Sequence, residues 1–209
     1  MPIFGGIPVS ESIVVTWIIM AVLTVLSIVF VRNLQVEPTG KKQLVLETAI
    51  GGIHQFFEEI VGENGKVFIP YLITVAIYIG VANLIGLLGF KPPTKDLNVT
   101  AALSIMSIII IEYAGFHKKG LKKWVKSFAE PVPIIAPINI LEIFIRPLSL
   151  CMRLFGNVLG AFVVMELIKK LVPLIVPIPF SCYFDIFDGL IQAYVFVFLT
   201  SLFIKEALE

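Results

Sequence analysis

Glu142, Arg146, Ser149, Arg153, Asn157 and Gly160 recur at spacings of three and four residues. That period holds side chains on one face of a helix. The surrounding sequence is apolar, and an arginine cannot shed its charge to suit it. Held at the centre of a spanning helix, arginine costs about 2.5–3.5 kcal/mol on the translocon scale. Asp185, Asp188 and Gln192 share a second face by the same spacing, and Glu112 and Glu166 complete the set of acids within apolar runs. Ionisable groups in such places mark an ion path or pair within one. Two blander roles compete with an ion path: an arginine that snorkels to the interface as an anchor, and polar stripes that glue helices together. Covalent chemistry has no footing here. There is no His-x-x-x-His and no Gly-x-x-x-x-Gly-Lys-Ser/Thr phosphate loop. Cys151 and Cys182 form no metal-ligand pattern and read as packing residues.

The elements that carry these groups are membrane helices. Of 209 residues, 58% are hydrophobic and only 15% charged, against roughly 25% charged in a soluble domain. Net charge of +1, with no basic run interleaved with aromatics, offers nothing to nucleic acid. The expected fold is a single all-α integral membrane domain of five membrane helices plus one amphipathic surface helix, the last two membrane helices long and strongly tilted. Residues 13–31 form an uncharged run closed by Arg32, long enough to cross a core of about 30 Å. Residues 41–62 alternate charge with Leu44, Ile50, Ile53, Phe57 and Ile60, the pattern of an interfacial helix on which His54 is an ordinary surface residue. Further spans are expected at 67–90 and 97–116. The last two are expected at 139–171 and 183–207. The proline pair Pro92-Pro93 and the prolines Pro173, Pro177 and Pro179 mark turns. A helix over 139–171 would be about 50 Å long, so it must tilt or kink, with Pro147 as the place to do so. The first run follows Glu11, lacks a basic n-region and shows no small-residue cleavage site, so it reads as a retained helix rather than a signal peptide.

Lys118, Lys119, Lys122, Lys123 and Lys126 set the orientation, because basic short loops stay in the cytoplasm. The N-terminus is then outside and the C-terminus cytoplasmic, with Lys169 and Lys170 as a dissenting pair at an outer end. Glu166, Asp185 and Asp188 fall toward the outside, Glu142 and Glu112 toward the cytoplasm, and Arg153, Asn157 and Gln192 between. A fixed cation in the middle bars a simple cation channel by Coulomb repulsion at low dielectric. The layout makes sense as two offset half-channels joined by a moving anionic carrier from another chain. No internal repeat is evident, which counts against the alternative of a stand-alone secondary ion-coupled transporter.

Three segments carry a resemblance. Ser149-Leu150-Cys151-Met152-Arg153-Leu154-Phe155-Gly156-Asn157, Pro93-Thr94-Lys95-Asp96-Leu97-Asn98-Val99-Thr100 and Gln192-Ala193-Tyr194-Val195-Phe196 resemble the signature segments of subunit a of F-type ATP synthases. The likeness covers most of the chain after residue 50. It implies that Arg153 is the essential stator arginine, Asn157 its neighbour one turn on, and Gln192 its partner across the helix pair. Asp185 falls where the family carries a titratable group of the outer half-channel. Many relatives have an acid or histidine where this chain reads Ala161-Phe162, so Asp188 or Glu166 is expected to stand in. The resemblance further implies a non-catalytic subunit with no cofactor, passing H⁺ or Na⁺ past Asp185 and Asp188 to a rotor carboxylate and out past Glu142. The implied partners are the c-subunit ring, peripheral-stalk subunit b, the remaining synthase subunits and lipid. The implied location is a bacterial plasma membrane.

Overall fold

The computed structural model describes residues 10–32, 41–88, 90–127, 136–172 and 176–208, and among them every regular element is helical. The helices are α1 (Glu11–Val31), α2 (Lys41–Val61), α3 (Ile69–Leu84), α4 (Leu97–Ser127), α5 (Ala136–Leu171), α6 (Pro177–Ser181) and α7 (Gly189–Leu208). Five stretches are long and apolar enough to cross a membrane: Glu11–Val31, Glu63–Leu87, Leu97–Gly120, Pro137–Leu171 and Pro177–Leu208. The chain is an all-α, multi-pass membrane protein.

The helices pack through one apolar core. Ile69, Leu72 and Ile79 of α3, Ile111 and Ala114 of α4, Leu150 and Leu154 of α5, and Phe196, Val197 and Ile204 of α7 form it, with Phe57 and Val61 of α2 at one end. Small polar residues let α4 approach its neighbours closely. Thr100, Ser104 and Ser107 are buried and return their hydroxyls to carbonyls of their own helix, Ser104 to Ala101 and Ser107 to Leu103 at 2.9 Å each. Buried Cys151 lies 3.5 Å from the Thr100 hydroxyl, while Cys182 is exposed, and both are free thiols. Helix α1 packs Val15 and Ile19 against Ala82 of α3, its Thr16 hydroxyl accepts from Tyr78 at 3.3 Å and its Glu11 pairs with Lys91 at 3.0 Å, while the apolar side chains of α1 from Val25 to Val31 are exposed.

Several boundaries differ from the sequence expectation for physical reasons. Helix α4 continues beyond Phe116 to Ser127, so the lysine cluster lies on helix rather than loop, and its backbone breaks only at Gly120 (φ 72, ψ 157). Glycine alone adopts that positive φ without a side-chain clash. Glu130 lies outside the described residues, as does Pro173. Pro177 and Pro179 open a helix instead of forming a turn. The first N–H groups of a helix have no intrahelical partner, so proline there forfeits nothing. The span expected over 67–90 is α3 flanked by 3₁₀ turns at Glu63–Phe68 and Ile85–Leu88. Pro147 sits inside α5 without ending it. At 36 residues and about 1.5 Å each, α5 is about 54 Å long, well beyond a hydrocarbon core of about 30 Å.

Asp96 starts α4 as its N-cap. Its Oδ1 accepts from the Asn98 backbone at 3.0 Å, and its Oδ2 accepts from Ser10 at 3.2 Å. Burial pushes this carboxyl upward, but the hydrogen bonds from Asn98, Ser10 and Ser12 outweigh it and hold it below the usual aspartate range.

Candidate ion-conducting site

Two cavities, each of about 220 Å³, lie at opposite ends of α5 and share no lining residue. The first, at the N-terminal end, is lined by Glu112 and Lys119 of α4, Asn139, Glu142 and Arg146 of α5, and Glu206 of α7. The second, at the C-terminal end, is lined by Asn83, Gly86, Glu166, Lys169, Asp185 and Asp188, with Lys91 and Phe162. Glu142 thus falls in one cavity, and Glu166, Asp185 and Asp188 in the other.

Arg153 lines neither cavity. It stands between them, about 10 Å along the helix from Arg146 and about 8 Å from Val158. The cavities also open on different sides of α5. At about 3.6 residues per turn, Asn139, Glu142 and Arg146 lie within about 40° of Arg153, whereas Val158, Phe162, Met165 and Lys169 lie about 120–180° away. Arg153, Asn157, Gly156 and Gly160 are exposed, and a Cβ added at either glycine would meet nothing within 4 Å. Among the described residues Arg153 and Asn157 have no hydrogen-bond or ion-pair partner. Gly156 and Gly160, four residues apart, therefore leave an open small-residue patch of the kind that lets another helix approach closely.

The first cavity is organised by Arg146. Its Nη2 donates to Glu142 Oε2 at 2.7 Å and to Glu206 Oε1 at 2.6 Å, and its guanidinium lies 5.0 Å from the centre of the Phe203 ring. The α5 pair Glu142–Arg146 was legible from its spacing. Glu206 was not, because it belongs to another helix and reads in sequence as a terminal charge.

The second cavity depends on how α7 begins. Cys182–Asp188 is wound as a π-helix, a rare form that is frequent at functional sites. Its wider turn changes the angle per residue, so the i, i+3, i+7 argument does not carry from Asp185 to Gln192. Asp185 and Asp188 line the cavity, while Gln192 is buried among α7's core residues and lines neither. Ser181 donates to Asp185 Oδ2 at 2.5 Å. A buried chain fixes the end of this π-helix: Thr94 Oγ1 donates to Asn83 Oδ1 at 2.7 Å, and Asn83 Nδ2 donates to the Gly189 carbonyl at 2.9 Å. At the rim, the Lys95 ammonium sits 4.3 Å from the centre of the Phe162 ring. Burial, with Lys91 nearby, holds that ammonium below the usual lysine range.

Two glycines make these contacts possible, and they differ in kind. A Cβ on Gly189 would stand 2.9 Å from Asn83 Cβ, and one on Gly86 would stand 2.6 Å from Asp185 Oδ1. The first clash is with a side chain held at both ends of its amide, the second with the end of a carboxylate that can swing away. Gly189→Ala is therefore expected to destabilise the chain by about 1–3 kcal/mol. Gly86→Ala should leave the thermal midpoint near the parent's while displacing Asp185 and slowing ion flux. Thermal unfolding in detergent beside transport in vesicles separates the two, and equal loss of stability in both variants would contradict this assignment.

Comparison with known proteins bears on the whole chain. A family model described as ATP synthase A chain matches residues 13–205. The chain is 36% identical over 203 residues to the ATP synthase subunit a of Moorella thermoacetica, covering 97% of this chain and 92% of that protein. It is 38% identical over 205 residues to the ATP synthase subunit a of Geotalea daltonii, and 37% identical over 205 residues to that of Geobacter sulfurreducens. Each of those alignments covers 96% of this chain and 88% of the relative.

Proposed function

Because this chain belongs to the ATP synthase A chain family, we propose that it is the membrane stator subunit of an F-type ATP synthase and passes H⁺ or Na⁺ between two half-channels. The observation that carries this reading is the pair of cavities that share no lining residue, with Arg153 between them on an open face. An ion entering the second cavity from outside reaches Asp185 and Asp188 and neutralises a carboxylate on a rotor ring of c subunits seated against Arg153, Asn157 and the two glycines. After a turn of the ring, the same carboxylate releases its ion toward the first cavity, Glu142 and the cytoplasm. Glu166 shares the outer cavity with the two aspartates, and Gln192, buried in α7, braces the helix opposite α5.

Arg153 does no covalent chemistry in this scheme. It offers the emptied carboxylate a counter-charge inside low dielectric, and its own fixed charge repels a bare cation that would cross from one cavity to the other. ATP chemistry belongs to the other subunits, and the cargo ion replaces any resident cofactor. Subunit b of the peripheral stalk, the remaining synthase subunits and membrane lipid complete the partners. The setting is the bacterial plasma membrane, with the N-terminus outside and the C-terminus in the cytoplasm, as the lysines of α4 favour. Family membership sets aside the stand-alone secondary transporter. The test is ion flux in vesicles carrying the whole complex, with Arg153→Ala beside the parent.

A further inference from the structure

The first cavity holds a second arginine whose work the stator scheme leaves unassigned. Arg146 is the most enclosed member of its ion-pair group: its side chain is 18% exposed, against 45% for Glu142 and 59% for Glu206. One nitrogen, Nη2, serves both carboxylates, and the guanidinium carbon lies 5.0 Å from the centre of the Phe203 ring. Among the described residues, the charged groups that face this cavity are Glu112 and Lys119 from α4, Glu142 and Arg146 from α5, and Glu206 from α7. Three carboxylates against two cations leave one net negative charge.

We propose that Arg146 is a positioning residue for ion release: by holding Glu142 and Glu206 as a half-neutralised pair, it keeps the exit cavity attractive to a cation but unable to retain one. Conduction demands binding that is favourable enough to enter and weak enough to leave. With Arg146 absent, the cavity carries two net negative charges, and two carboxylates lose the donor that orients them. The arginine lies about two turns of α5 from Arg153 and on the same side of it, so the cavity it controls is the first one an ion meets on leaving the rotor. This inference rests on the stator reading.

The experiment is transport by the whole complex in vesicles, with the coupling-ion concentration varied on the cytoplasmic side. Arg146→Gln, Arg146→Lys, Glu206→Gln and the double variant Arg146→Gln with Glu206→Gln are compared with the parent. One unit charge at cavity distances should change retention by about tenfold. Arg146→Gln is expected to lower the half-saturating ion concentration for ATP-driven pumping by about that factor while slowing ATP synthesis. Glu206→Gln, which leaves Arg146 on Glu142, should shift the half-saturating concentration the opposite way. The double variant should return to within about twofold of the parent, and Arg146→Lys should stay near it. A strap that merely ties α5 to α7 would behave differently: Arg146→Gln would lower the maximal rate at unchanged half-saturation, and the double variant would not recover. That result overturns the proposal, as does parental behaviour of Arg146→Gln. If Arg146→Gln fails to assemble, the sign of the Glu206→Gln shift decides. Arg153→Ala, run in parallel, tells the two failures apart. Coupled transport that survives Arg153→Ala sinks the stator reading itself, whereas its loss without compensation between Arg146 and Glu206 sinks only this inference.

Discussion

Replacing Arg153 with alanine is expected to abolish ATP-coupled ion transport, a fall of at least about 100-fold, since an emptied carboxylate without its counter-charge costs several kcal/mol in low dielectric. Followed separately under an imposed potential, H⁺ and Na⁺ should part company: the ion that binds the ring leaks passively through the variant and is thereby identified as the coupling ion. Misfolding would not account for such a loss. Arg153 is exposed and has no hydrogen-bond or ion-pair partner among the described residues, so the chain's own fold loses nothing that can be named. Stability of the purified subunit should stay at the parent's value. Coupled transport at a near-parental rate would make Arg153 an anchor and remove the rotor-facing reading.

A second large effect is expected where this chain alone shows no reason for one. Gly156→Leu places its side chain in open space, because a Cβ there meets nothing within 4 Å. For the isolated helix the change is favourable by about 0.5–1 kcal/mol, since glycine is a poor helix former. The thermal midpoint of the subunit should hold or rise. In the complex, small residues exist to let another helix come close, and a leucine keeps it away. Coupled transport is expected to drop below about a tenth of the parent's, with ATP hydrolysis by the soluble subunits retained. Unimpaired transport in Gly156→Leu would mean that nothing packs against this face.

The contrast between these residues and their neighbours explains how much the sequence disclosed. Helices and the faces within one helix were legible, because period and hydropathy are local: the stripe from Glu142 to Gly160 lies on a single helix, and Glu142 does pair with Arg146. Contacts between helices were not legible. Asn83 is one amide in an otherwise apolar run, yet it joins Thr94 to the Gly189 carbonyl across three segments. Gly86 carried no signal at all, since its role is to leave room for a carboxylate about a hundred residues away. Asp185, Asp188 and Gln192 were placed on one face by assuming an α-helix. The π-helix over Cys182–Asp188 separates the aspartates from the glutamine, and no residue type in that stretch announces it.

The stator reading depends on two cavities that open to opposite sides of the membrane and do not connect. Sided thiol labelling probes that arrangement directly. Cys151 and Cys182 are first replaced by alanine, then Asp188→Cys and Glu142→Cys are introduced singly and exposed to a membrane-impermeant maleimide from either face of the vesicle. Asp188→Cys is expected to react only from the outside and Glu142→Cys only from the cytoplasmic side. Labelling of both from one face, or of either from both, would mean that the cavities are not separate half-channels.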